Sequence, residues 1–284
     1  MQFSGHPPLS RGEIWALLDL CQSASQSILA CYNDEASAGL LYSKEDRTPL
    51  TKADLASHEI LSEGLRSLKP ELPLLSEECS PGEIADRDQW DSFWMVDPLD
   101  GTREFLERTG QFTINIALIE NQRPTLGLIY EPLSRKGSLG IIGEGAWRLC
   151  FESGAWQATP LTTRKLPSDQ LVILASRRHK NPSLDRCLEF LKSTHELSRQ
   201  NSGSALKFCD LAAGRGDCYP RFSPCSEWDV AAGDALVTAA GGRVLGLDGA
   251  PLRYNARDTL LSPHFVAVGD RSASLWNELL ESMA

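Results

Sequence analysis

Three apolar runs in close succession limit what this chain can fold into more than any other feature. Phe93-Trp94-Met95-Val96, Thr113-Ile114-Asn115-Ile116-Ala117-Leu118-Ile119 and Thr125-Leu126-Gly127-Leu128-Ile129-Tyr130 are short and parted by charged or Pro-containing turns. They are predicted as successive strands of a largely buried sheet, with a further hairpin over Gly140 to Leu149.

Helices flank this sheet region. Ser10-Arg11-Gly12-Glu13 has the form of a capping box, and Ile14, Leu17, Leu18, Cys21, Ala24 and Ile28 then recur at helical spacing. A second helix is predicted from Thr51 to Leu68, burying Leu61, Leu65 and Leu68 and ended by Lys69-Pro70. After a stretch from Glu152 to Asp169 without periodicity come a strand at Leu171 to Ala175, a helix at Ser183 to Lys192 and a helix from Trp228 to Ala240 stopped by Gly241-Gly242. Strands near Val244 and Phe265 and a last helix from about Ser272 complete a mixed α and β chain. At 284 residues the chain is long enough for two packed domains. The aperiodic stretch places them at 1–165 and 166–284.

Composition excludes several classes of function. A net charge of −10 opposes the neutralisation of a nucleic-acid backbone, so no polymeric nucleic acid is expected as partner. No apolar run is long enough to cross a bilayer, and the first residues carry no secretory pattern, which points to the cytoplasm. The eight cysteines are scattered without a C-x-x-C pair and read as reduced, mostly buried thiols. A homodimer and a peripheral attachment at the inner membrane are left open.

The chemistry is concentrated where the first strand ends. Phe93 to Val96 runs into Asp97-Pro98-Leu99-Asp100-Gly101-Thr102, two carboxylates and a hydroxyl in a turn of the kind that holds ligands in α/β proteins. Pro98 fixes the backbone between the carboxylates, and Gly101 allows close approach to a ligand. If the next segment is helical, its N–H groups face the same point. Alone, the hexapeptide reads equally well as a capping turn. Two more acidic positions favour the ligand reading: Ser76-Glu77-Glu78 after the run Leu72 to Leu75, and Trp228-Asp229 before Val230-Ala231-Ala232-Gly233. Glu77, Asp97, Asp100 and Asp229 all stand at element ends, and such hard oxygen ligands suit Mg²⁺. Asp54, in Thr51-Lys52-Ala53-Asp54, also fits a capping box.

In this order, Ser76-Glu77-Glu78, Asp97-Pro98-Leu99-Asp100-Gly101-Thr102 and Trp228-Asp229-Val230-Ala231-Ala232-Gly233 resemble the three signature motifs of the inositol monophosphatase and fructose-bisphosphatase superfamily of lithium-sensitive phosphatases. The resemblance covers nearly the whole chain and is greatest to the bacterial 3'(2'),5'-bisphosphate nucleotidases. It implies a layered α-β-α-β-α sandwich and Mg²⁺ as cofactor. It also implies Glu77, Asp97, Asp100 and Asp229 as metal-binding carboxylates, completed by the Leu99 carbonyl. Thr102, with Asp54 behind it, is implied to orient the attacking water beside Glu77. Lys44 and Thr51 fall where the family has a mobile loop near the phosphate.

Phosphate monoesters hydrolyse very slowly without catalysis, and clustered cations lower the pKa of water and neutralise charge on the oxygens involved. Only Arg103 brings a basic side chain next to the central motif, so metal must supply most of the positive charge there. Haloacid-dehalogenase-type phosphatases carry Asp-x-Asp-Gly-Thr with a nucleophilic first aspartate. Here the spacing is Asp-x-x-Asp-Gly-Thr, which displaces that nucleophile.

Ser202-Gly203-Ser204-Ala205-Leu206-Lys207 and Tyr219-Pro220-Arg221-Phe222 resemble the nucleotide-binding segments of the bisphosphate nucleotidases. A substrate with a second phosphate away from the metals needs fixed cations there, and Lys207 and Arg221 supply them. Taken singly, these two also read as a solvated helix cation and a surface ion pair. Gly101, Thr102, His179, Ser204 and Asp229 complete the expected substrate contacts. The expected reaction is cleavage of 3'-phosphoadenosine 5'-phosphate to AMP and phosphate. The alternatives are an inositol or other sugar phosphatase of the same superfamily, and an inactive metal- or nucleotide-binding regulator.

Overall fold

The computed structural model describes every residue of the chain except 2, 4, 6, 35–39, 44–48, 70, 168, 177–180 and 284. In chain order it contains α1 (Arg11–Asn33), β1 (Leu40–Ser43), β2 (Pro49–Thr51), α2 (Lys52–Leu68), β3 (Leu74–Ser76), β4 (Ser92–Asp100), α3 (Thr102–Leu106), β5 (Thr113–Glu120), β6 (Arg123–Glu131), β7 (Lys136–Ile141), β8 (Gly145–Glu152) and β9 (Ala155–Leu161). There follow β10 (Gln170–Ala175), α4 (Pro182–Lys192), β11 (Glu196–Asn201), α5 (Leu206–Ala212), β12 (Cys218–Arg221), α6 (Ala231–Ala239), β13 (Arg243–Gly246), β14 (Phe265–Val268) and α7 (Leu275–Met283).

The strands from β3 to β9 form one seven-stranded sheet in sequence order. Its β3–β4 pair is parallel and the remaining pairs are antiparallel. A five-stranded sheet has the order β11-β10-β12-β14-β13, parallel among its first three strands and antiparallel beyond. Strand parity separates the layers. Trp94 and Val96 of β4 and Ile114, Ile116 and Leu118 of β5 face the core built with α1 and α2, while Phe93, Met95, Ala117 and Ile119 face α5 and α6. The far side of α5 and α6 packs on Leu174, Tyr219, Val244 and Phe265 of the second sheet. That sheet turns Ile173, Cys218, Val266 and Val268 towards α4 and α7. The result is the expected α-β-α-β-α sandwich, with one apolar layer shared by both sheets.

The helix ends follow local chemistry. Ser10 and Glu13 close the capping box of α1, and Thr51 and Asp54 close that of α2. Helix α6 lies close on the first sheet because Gly127 and Gly140 leave it room. A Cβ would come within 2.2 Å of the Ala232 carbonyl oxygen at Gly127 and 2.4 Å of the Leu236 Cα at Gly140.

Three expectations are corrected. The stretch from Glu152 to Asp169 is not wholly irregular, since it contains β9, a solvated edge strand in which partly buried Trp156 and Ala158 alternate with exposed Gln157 and Thr159 over too few residues to stand out. The helix expected from Trp228 opens instead as a 3₁₀ turn over Glu227–Asp229, closed by a capping box between Ser226 and Asp229, before α6 begins at Ala231. The last helix starts at Leu275 rather than near Ser272. Among the described residues no helix is long and apolar enough to cross a membrane.

Candidate active site

Sheet register brings the acidic residues together. Ser76 of β3 pairs with Val96 of β4, and the Glu77 N–H donates to the Val96 carbonyl at 3.1 Å, which places Glu77 beside Asp97. Asp97 continues the parity of Phe93 and Met95 towards the α5–α6 layer. A bulge between Asp97 and Asp100 then breaks the β4–β5 register. Asp97 Oδ1 accepts the Leu99 N–H at 3.0 Å, and Ser57 of α2 donates to the Pro98 carbonyl at 2.8 Å, so the turn is held from both sides. Gly101 has φ +88°, and a Cβ there would lie 2.9 Å from the Gln111 carbonyl, so glycine is required on both grounds. Asp229 arrives from the 3₁₀ turn that α6 anchors, its Oδ2 accepting the Ser226 N–H at 2.9 Å.

Carboxylate oxygens of Asp97, Asp100 and Asp229 lie within 4.8 Å of one another. Burial, followed by repulsion from Glu77, Asp100 and Asp229, pushes Asp97 well above the usual carboxylate range. Burial, with Asp100 and Glu77 next, pushes Asp229 up to about 8. Asp97 and Asp229, which resist ionisation without a counter-charge, converge with Asp100 into a hard oxygen donor set, and this fits Mg²⁺.

Beside this cluster, Thr102 Oγ1 lies 3.2 Å from Asp54 Oδ1, to which it donates, and 3.3 Å from the Leu99 carbonyl. Asp54 is buried and its other oxygen accepts the Thr51 N–H at 2.7 Å and the Thr51 hydroxyl at 2.5 Å. Both readings of Asp54 therefore describe one side chain: Oδ2 caps α2 and Oδ1 holds Thr102.

A cavity of about 130 Å³ opens from Asp100, Gly101 and Asp229 towards Lys207, Tyr219 and Arg221. Lys207 is 3% exposed, and its Nζ donates to the Ser202 and Ser204 carbonyls at 3.1 and 2.6 Å and stands 5.2 Å from the centre of the Tyr219 ring. Burial lowers its pKa to about 8 against the opposing pull of Asp100. Lys207 is therefore no solvated surface cation. The Arg221 guanidinium is braced by the Ser223 carbonyl at 3.2 Å and the Pro224 carbonyl at 3.1 Å. Ser204 lines the cavity, but its hydroxyl donates to Asp100 Oδ2 at 2.7 Å.

Asp54, Glu77, Asp97, Leu99, Asp100, Gly101, Thr102, Ser204, Lys207, Arg221 and Asp229 thus share one region, while Lys44 and His179 lie outside the described residues. Sequence reading missed Thr113 and Asn115, buried on β5 and bonded to Ser204 and Asp100. Their signal was available, since an amide in the middle of an apolar strand has to be bonded by something.

The profile of the inositol monophosphatase family matches residues 15–280. The chain belongs to this family. Among inositol monophosphatase family proteins of known description, it is 40% identical over 247 residues to the 3'(2'),5'-bisphosphate nucleotidase CysQ of Escherichia coli O157:H7, covering 87% of this chain and 95% of that protein. The crystal structure of CysQ from Bacteroides thetaiotaomicron, a bacterial member of the inositol monophosphatase family, superposes with a TM-score of 0.79 at 36% identity, covering 92% of this chain and 98% of that one. The inositol monophosphatase from Anabaena, at 24% identity and a TM-score of 0.67 over 95% of this chain and 96% of that one, shares the fold.

Proposed function

We propose that this member of the family is a Mg²⁺-dependent 3'(2'),5'-bisphosphate nucleotidase that converts 3'-phosphoadenosine 5'-phosphate to AMP and phosphate. The observation that carries the reading is an adjacency: the cavity that starts at the converging carboxylates of Asp100 and Asp229 ends at Lys207 and Arg221. One end suits the cations that a scissile phosphate needs, and the other supplies positive charge for a second phosphate. The names of the relatives found at up to 40% identity support the same substrate class.

In this reading Glu77, Asp97, Asp100, Asp229 and the Leu99 carbonyl hold Mg²⁺. When bound, Mg²⁺ supplies positive charge to the phosphoryl oxygens and makes water more acidic. Thr102, with its proton committed to Asp54, keeps lone pairs with which to orient a water. The water oxygen bonds to phosphorus, the bond from phosphorus to the 3' oxygen breaks, and a proton ends on that oxygen. Arg221 and Lys207 steady the phosphate that does not react. All eight cysteines are free thiols, which supports a cytoplasmic enzyme.

Phosphate release from 3'-phosphoadenosine 5'-phosphate is the test, run with Mg²⁺, with excess chelator and with Li⁺, beside inositol 1-phosphate and fructose 1,6-bisphosphate. The bisphosphate nucleotide should be preferred, with activity lost to chelator and lowered by Li⁺. Full activity in chelator would refute the metal reading, and preference for either sugar phosphate would refute the substrate.

A further inference from the structure

We infer that Thr113 and Asn115 are positioning residues which orient Asp100 and tie it to the loop that walls the nucleotide cavity. The inference rests on the proposed role of Asp100 as a metal-binding carboxylate. Thr113 and Asn115 are 0% and 1% exposed, at the end of the β5 face whose deeper positions are Ala117 and Ile119. Polar side chains so placed are costly unless their groups are bonded.

Their bonds all lead towards Asp100. Asn115 Nδ2 donates to Asp100 Oδ2 at 3.2 Å, and Ser204 Oγ donates to the same oxygen at 2.7 Å. The Thr113 hydroxyl donates to Asn115 Oδ1 at 2.8 Å, which selects the amide orientation that aims Nδ2 at the carboxylate. Rotated the other way, the amide would set two oxygens against each other. Thr113 Oγ1 also lies 2.6 Å from Ser204 Oγ, and a hydrogen bond there uses one of these two protons in place of its bond to Asn115 or to Asp100, so the two hydroxyls, the amide and the carboxylate share one set of protons.

The loop from Ser202 to Ser204 is held into this network. Gly203 N–H donates to Gln111 Oε1 at 3.0 Å, and Lys207 Nζ reaches the carbonyls on either side of Gly203. Ser204 has φ +48°, a conformation that non-glycine residues keep only when their surroundings impose it. A partner that orients a metal-binding carboxylate typically contributes 10- to 100-fold to metal affinity or activity. Thr113, Asn115 and Ser204 thus join the candidate metal end of the cavity to its nucleotide wall.

The test is calorimetric titration of Mn²⁺, as a probe for Mg²⁺, into the substrate-free full chain and its variants. Thr113→Val keeps volume but loses the hydroxyl, and it should weaken Mn²⁺ binding roughly 10-fold or more. Thr113→Ser, which keeps the hydroxyl, should stay within about 2-fold of the parent by the same argument. At saturating Mg²⁺, Thr113→Val should also raise KM for 3'-phosphoadenosine 5'-phosphate, because the loop has lost an anchor. A Thr113→Val protein that is less stable but binds Mn²⁺ like the parent would overturn the inference. If Thr113→Val does not fold, Ser204→Gly decides, since glycine accepts the same φ while the CH2OH group that reaches Asp100 and Thr113 is removed. Unchanged Mn²⁺ affinity there overturns the inference equally. A parent chain that binds no Mn²⁺ would remove the metal reading, and this inference with it.

Discussion

Replacing Arg221 with alanine separates a bisphosphate site from a general phosphate site. Two backbone carbonyls, of Ser223 and Pro224, brace Nε and Nη2, and the guanidinium lines the cavity together with buried Lys207. A charge pair formed there with an unreacting phosphate is shielded from bulk water, and truncating such a pair costs roughly 2–4 kcal/mol. At about 1.4 kcal/mol per factor of ten, Arg221→Ala should lower kcat/KM for 3'-phosphoadenosine 5'-phosphate by roughly 30- to 1000-fold. The carbonyls that the mutation leaves without partners add a second cost. That cost is the same for every substrate, so it cancels in a ratio. For adenosine 3'-monophosphate, which carries only the scissile phosphate, the loss should be less than about 3-fold, since the acidic cluster and Thr102 are untouched. Arg221→Lys keeps the charge without the bidentate fork and should fall between. The assay is kcat/KM by phosphate release on both substrates for parent and mutants. Equal losses on the two would mean that Arg221 supports the loop from Ser223 to Cys225 and not a phosphate.

Asp229→Asn and Asp97→Asn should each abolish turnover yet raise the melting temperature of the metal-free protein, because each relieves repulsion in a buried acidic cluster; a variant with parental turnover would remove that residue from the site. Asp234, whose carboxylate accepts from Tyr254 at 2.9 Å and Thr238 at 3.1 Å, is pushed up to about 6 by burial. The folded chain therefore binds this proton more tightly than the unfolded one, and stability is lost as pH rises from about 4 through 6, by about 3 kcal/mol in all. Asp234→Asn should flatten that dependence and be more stable than the parent at pH 8 by about 1–2 kcal/mol once weaker amide acceptance is allowed for, and urea unfolding at pH 5 and pH 8 giving parallel changes in both proteins would refute this.

Much of this molecule was legible in its sequence, and what was legible was local. The capping boxes of Ser10 with Glu13 and Thr51 with Asp54 involve residues three apart, so α1 and α2 could be placed before any contact was known. Central strands β4, β5 and β6 are buried on both faces and read as apolar runs. The acidic residues stood out because Glu77, Asp100 and Asp229 stand at element ends, with Asp97 at the bulge near the end of β4. The edge strands β9 and β11 were missed for the converse reason. Half-solvated at the sheet margins, they set Gln157, Thr159, Ser198 and Arg199 among their apolar residues, and the alternation of β9 is too short to stand out as an apolar run does. Which residues meet was decided only by packing. Gly127 and Gly140 let α6 settle on the first sheet and bring Asp229 to Asp97 and Asp100 from more than a hundred residues away. The bulge after Asp97 and the left-handed turn at Ser204 aim Asp100, Asn115 and Thr113 at one another. Helical and strand periods report the face a residue takes on its own element, whereas these convergences depend on the distance between two sheets, which side-chain volumes and missing Cβ atoms determine.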